Sequence, residues 1–93
     1  MKKLLNHEDF LSLLKLGMPY ETYVTIDSVC SWLRKNLFIN ICGHYNAGLE
    51  KPWSCWIQQI TENPEKDTVI YDCDSYEEAL IEGIHYVIKN NLI

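Results

Sequence analysis

Between residues 26 and 45 the apolar positions change period with no linker in between. Ile26, Val29, Cys30, Leu33 and Leu37 fall at i, i+3, i+4, i+7 and i+11, one stripe of an α-helix. From Leu37 the repeat becomes two: Leu37, Ile39, Ile41, Gly43 and Tyr45 lie on one side, and Phe38, Asn40, Cys42 and His44 on the other. A helix that runs directly into a half-buried strand must fold back against it. That restricts the chain to architectures with helices layered on a sheet.

The remaining elements follow from the same patterns. Thr25 is a good N-cap for the helix, and Arg34 and Lys35 suit its C-terminal dipole; Trp32, off the stripe's centre, covers the rim of the core. "NAGLEKP" reads as a turn and "WSCWIQQI" alternates again. "TENPEKD" is a second turn and "TVIYDCD" a third, β-branched strand. Ser75 followed by Glu78 forms a capping box for a last helix, with Ala79, Leu80, Gly83, Ile84, Val87 and Ile88 buried and Glu78, Glu82, His85 and Lys89 facing out. Gly83 inside that helix implies a close approach of helix to sheet. At the other end, Asn6 caps a short helix that stops at Gly17 before Pro19.

The expected fold is therefore α+β: helix, helix, a three-stranded antiparallel meander, helix, with the helices on one face of the sheet. The 93 residues make a single domain, with residues 1–18 an added N-terminal helix and 23–93 the α-β-β-β-α core.

Strand parity then says which side chains are free. Pairing Tyr45 with Trp53 sets Gly43 against Cys55, Ile41 against Ile57 and Ile39 against Gln59; on the second hairpin Ile57 should face Tyr71 and Cys55 should face Cys73. The opposite side of the sheet collects three rows: Asn40, Gln58, Ile70; Cys42, Trp56, Asp72; and His44, Ser54, Asp74, with Phe38 and Ile60 extending it. Trp56, His44, Asn40, Gln58, Cys42 and Asp72 are the candidate binding residues. Two arrangements are open for Trp56: a contact surface, or packing on a strand neighbour or under the N-terminal helix. Trp53 and Tyr45 belong at the edge of the core. Three Trp, six Tyr and two Phe exceed what a small core needs, which favours some rings at an interface.

Charge narrows the partners. Thirteen Asp and Glu against 8 Lys and Arg give −5, and the basic pairs Lys2-Lys3 and Arg34-Lys35 make no phosphate-tracking stripe, so nucleic acid is disfavoured. No apolar run approaches the roughly 20 residues that span a bilayer. Cys30, Cys42, Cys55 and Cys73 are spaced by 12, 13 and 18 residues without a Cys-x-x-Cys pair, which reads as four buried thiols in a reducing cytoplasm rather than a zinc site or disulfide frame. Cys42, His44 and Asp72 could mimic a nucleophile–base–orienter set, but Cys42 and His44, two residues apart on one strand, sit about 7 Å apart, beyond hydrogen-bond reach. Glu77, Glu78 and Glu82 with His85 read as a solvated helix face. No cofactor, metal or catalytic group is expected.

"TIDSVCSWLRKNLFINI" and "DSYEEALIEGIHYVIKN" together resemble a pattern in small proteins of gut Bacteroidetes and their phages and mobile elements, over roughly residues 23–91. The resemblance implies the fold and a mobile-element origin and brings no activity with it. The element order is also similar to double-stranded RNA-binding domains, whose closing helix begins with lysines where this one has Glu77 and Glu78. "CDSYEEALIEGIHYVI" resembles the strand-to-helix segment of HicB-type antitoxin domains, which begin with a strand. The functional expectation is a non-catalytic module contacting a protein partner or a second copy through the open sheet face; the alternative is a nucleotide- or small-molecule-sequestering protein.

Overall fold

A computed structural model describes residues 5–22, 25–59, 67–90 and 92. The elements are α1 (His7–Lys15), a short 3-10 turn (Tyr20–Thr22), α2 (Ile26–Leu37), β1 (Ile39–Tyr45), β2 (Trp53–Gln59), β3 (Thr68–Cys73) and α3 (Tyr76–Lys89). The class is α+β, and the sheet is antiparallel in the order β1-β2-β3. Ile60 and most of the second turn lie outside the described residues.

Each helix starts where its cap residue predicts. Asn6 Oδ1 accepts from the Asp9 N–H at 2.8 Å, Thr25 Oγ1 from the Ser28 N–H at 3.0 Å, and Ser75 Oγ from the Glu78 N–H at 3.1 Å. The returning half of the capping box reaches one residue further back than expected: Glu78 Oε2 accepts from the Asp74 N–H at 3.1 Å. Helix α2 buries Ile26, Val29, Cys30 and Leu33, the stripe the periodicity defines.

The passage from α2 to β1 takes a single residue. Phe38 adopts the left-handed conformation (φ 57, ψ 36) and its N–H donates to the Leu33 carbonyl. This is a helix C-cap, so Phe38 closes α2 and does not begin the strand. A one-residue reversal from helix to strand requires a positive φ, and an L-residue adopts it at a cost of about 1–2 kcal/mol.

Along β1 and β2 the register is the one the pattern implies, from Ile39 opposite Gln59 to Tyr45 opposite Trp53. Ile39, Ile41, Cys55 and Ile57 are buried beneath the helices. Gly83 sits directly over this layer: a Cβ there would strike Cys55 Sγ and lie 2.7 Å from Ile41 Cγ2. The close approach inferred from that glycine is present.

The second hairpin departs from the expected register. Cys55 pairs with Ile70, Trp56 with Val69 and Ile57 with Thr68, while Trp53 pairs with Cys73. Relative to the expected pairing, Trp53–Cys73 is slipped by two residues, and a β-bulge between Trp53 and Cys55, with Asp72 (φ 60) as the inserted residue on β3, adds a third. The extra residue lets Cys73 turn inward (3% exposed) just before the Ser75 cap. Strict alternation cannot anticipate such an insertion. Ile70 consequently lies on the helical side, packed against the core, instead of in a row with Asn40 and Gln58.

Helix α1 docks on α3, away from the open side of the sheet. Leu13 is fully buried and joins the same core cluster as α2, α3 and the sheet.

Candidate functional site on the open sheet face

Residues 40, 42 and 44 of β1 and 54, 56 and 58 of β2 share the side of the sheet opposite the helices, and no described helix packs on it. Val69, opposite Trp56, belongs to the same side, and so by alternation does Tyr71. The structure therefore brings together five of the six expected site residues: Trp56, His44, Asn40, Gln58 and Cys42. Asp72 is the exception. It occupies the bulge, with Val69 rather than Asp72 opposite Trp56, a displacement of three residues to which the bulge contributes one and a two-residue slip of β3 the rest.

Trp56 occupies the centre of the middle strand and is 38% exposed. It stacks on His44 across the β1–β2 pair, with ring centroids 4.5 Å apart and planes inclined by 35°. Trp56 thus leans on a strand neighbour and still presents surface to solvent. Below it, Asn40 Nδ2 donates to Gln58 Oε1 at 2.9 Å. That bond leaves the Asn40 carbonyl oxygen and the Gln58 NH₂ unpartnered among the described residues. Above it, Ser54 is buried and accepts from Asn46 Nδ2 at 3.0 Å, which ties the first turn to the sheet.

Cys42 makes only long contacts: Asn40 Nδ2 donates to its sulfur at 3.8 Å, and the thiol donates to the Trp56 carbonyl at 3.9 Å. Burial pushes its pKa up, with Arg34 opposing, so the thiol stays protonated at neutral pH and is a poor nucleophile. Cys30 and Cys55, in the core, are pushed by burial up to about 12, and Cys73 is raised by the same cause. All four cysteines are free. Among the described residues no group of three or more His, Cys, Asp or Glu side chains is placed to hold a metal ion.

On the helical side of the same hairpin, Trp53 meets Tyr45 edge-on (centroids 5.3 Å apart) and Tyr76 at a tilt (5.5 Å). The Tyr76 ring packs over Gly43, and its hydroxyl donates to Asp27 Oδ1 at 3.2 Å, linking α3 to α2. The aromatic crowd between residues 44 and 56 divides by parity, Trp53 and Tyr45 on the helical side and Trp56 and His44 on the open face. Only Trp53 packs against the core; Tyr45, expected at its edge, is 62% exposed because it lies at the end of β1.

A second polar feature escaped the sequence reading. Asp9, the one buried charged residue among those described, is 4% exposed and meets His85 Nδ1 through both carboxylate oxygens, at 2.9 and 3.2 Å. His85 is half exposed and fixes α1 to α3. The signal was present: Leu5, Asp9 and Leu13 are spaced by four, so Asp9 lies on the buried stripe of α1, where a carboxylate needs a partner.

These features define an α+β domain with an open, aromatic-centred sheet face. Comparison with family models, with curated proteins and with solved structures finds no match to this chain. Among the described residues no helix is long and apolar enough to cross a membrane.

Proposed function

We propose that the protein is a non-catalytic binding module that works through the open sheet face, contacting a protein partner or a second copy of itself. The observation that carries this reading is Trp56. A large ring at the centre of a sheet face left partly in water contributes little to the core and is typical of an interface anchor. The protonated, weakly bonded Cys42 and the ~7 Å spacing of Cys42 from His44 support binding over catalysis. Four unpaired cysteines fit a reducing compartment, so a cytoplasmic setting belongs to the proposal. A phage or mobile-element origin rests on the resemblance of the α2 and α3 segments alone.

The test is a pair of substitutions. Trp56→Ala should abolish partner capture or self-association while moving the melting temperature by only a few degrees. Trp53→Ala should cost about 3 kcal/mol or more in stability. Unfolding of the Trp56→Ala protein would overturn the face assignment, and unchanged capture and solution mass would overturn the binding role.

A second reading, sequestration of a small molecule, is supported by the Asn40–Gln58 pair beside Trp56, whose remaining amide groups have no partner among the described residues.

A further inference from the structure

The aromatic cluster on the helical side of the first hairpin is separate from the open face, and the binding-module reading makes no use of it. We infer that Trp53, Tyr45 and Tyr76, with the Asp27 carboxylate beside them, form a site for a trimethylammonium cation. Trp53 is the shared ring. The Tyr45 centroid lies 5.3 Å from its own with the planes at 65°, and the Tyr76 centroid 5.5 Å away at 54°. These separations are inside the roughly 6 Å over which an aromatic ring attracts a cation, so one cation can draw on all three.

Packing alone does not account for the cluster. Tyr45 is 62% and Tyr76 40% exposed, and neither belongs to the core cluster that Trp53 adjoins. Gly43 seats one of them: a Cβ there would lie 2.8 and 3.0 Å from Tyr76 Cδ2 and Cε2. Gly43 has no positive φ, so its backbone does not call for glycine, and glycine inside a strand lowers stability. Its place is explained by the ring it admits.

Charge sets the ligand. The Tyr76 hydroxyl donates to Asp27 Oδ1 at 3.2 Å, which fixes a carboxylate at the edge of the cluster. Burial first, and then the charge of Asp27, push the Tyr76 phenol above its ordinary value, so it remains the proton donor in that bond. The first turns of α2 and α3 lie here too, and their dipoles oppose a cation with about half a charge each. Asp27, Glu77 and Glu78 place three formal negative charges in those turns, and the chain as a whole carries −5, so the field favours a cation. Lys51, the cation nearest Trp53 in the chain, pairs instead with Asp74 at 3.8 Å. A primary ammonium would need acceptors for its N–H groups, and ring faces supply none. A trimethylammonium group has no N–H and is less strongly hydrated, so aromatic faces can replace its water.

The experiment uses the full chain, labelled with ¹⁵N, and titrates tetramethylammonium, choline and Nε-trimethyl-lysine to about 20 mM at constant ionic strength, a range that reveals a millimolar Kd. Tetramethylammonium and at least one of the other two should shift the Trp53 indole N–H while leaving the Trp32 and Trp56 indoles in place. Tighter choline binding assigns a free solute and tighter trimethyl-lysine binding a modified protein side chain; both support the site. The uncharged carbon counterpart of choline, 3,3-dimethylbutan-1-ol, should bind about tenfold more weakly or worse. Tyr45→Ala should weaken binding about fivefold or more and Tyr45→Phe should preserve it, with both variants melting within a few degrees of the parent. Absence of a Trp53 shift, equal binding of the uncharged alcohol, or binding indifferent to Tyr45→Ala overturns the inference. Loss of the shift in Trp56→Ala also overturns it, because the ligand would then sit on the open face. Retention of the shift in that variant supports a separate site, and the open-face reading stands or falls on its own capture test.

Discussion

Replacing Gly83 by alanine tests the packing on which the whole architecture depends. On helix propensity alone the change should stabilise α3 by about 1 kcal/mol. The surroundings oppose it. The new methyl would strike Cys55 Sγ and lie 2.7 Å from Ile41 Cγ2, where ordinary carbon contacts are about 3.5–4.0 Å. Cys55 and Ile41 are both buried, so neither can swing into solvent. Overpacking of this kind costs about 1–3 kcal/mol, and contact with two such neighbours favours the upper end. After the propensity gain the net loss is about 2 kcal/mol. At roughly 4–8 °C per kcal/mol for a domain of this size, the melting temperature should fall by about 8–16 °C. Urea unfolding should show a lower midpoint with an unchanged slope. Adding Cys55→Ala to Gly83→Ala removes one of the two clashes, so the double variant should be less damaged than the sum of the single changes. A Gly83→Ala protein melting at or above the parent temperature would refute the close helix–sheet approach.

Other substitutions probe separate features. His85→Ala leaves the buried Asp9 carboxylate without its partner and should cost about 1–3 kcal/mol in urea unfolding. Phe38→Gly relieves the left-handed cap at φ 57 and should raise stability by up to about 1 kcal/mol, read as a higher melting temperature. Cys30 and Cys55 are shifted by burial from 9.0 to about 12, so the native fold holds their protons more tightly than the unfolded chain does. The stability this provides is fully present below pH 9 and is lost as pH rises toward 12, and urea midpoints should fall across that window. A thiol reagent at pH 8 should label Cys42 first in the native protein, and Cys30, Cys55 and Cys73 only on unfolding.

Where the sequence carried a regular repeat, its reading was reliable. The α2 stripe, the three helix caps, the β1–β2 register and the meaning of Gly83 all follow from period and residue type. It failed where one residue broke the repeat. Asp72 inserts a bulge and β3 is slipped by two further residues, and nothing in "TVIYDCD" marks either, so the pattern alone gives the wrong partner for Trp56 on β3. Phe38 was read as strand because its side chain fits the alternation, yet its backbone serves the helix cap. The Asp9–His85 contact joins residues 76 apart, beyond the reach of any local pattern, although the four-residue spacing of Leu5, Asp9 and Leu13 marked one end of it. Within the open face, parity located Trp56, His44, Asn40, Gln58 and Cys42, while Tyr71 was hidden by the same bulge.

The docking of α1 on α3 also has a consequence for synthesis. Helix α1 is synthesised before the helix it rests against, across a separation of 76 residues. At about 5–20 residues per second, α1 spends roughly 4–15 s without its docking partner. With nine residues it is too short to hold its shape alone in that interval. Its exposed leucines then depend on the rate of elongation, so slowing translation should lengthen the period in which the nascent chain attracts chaperones.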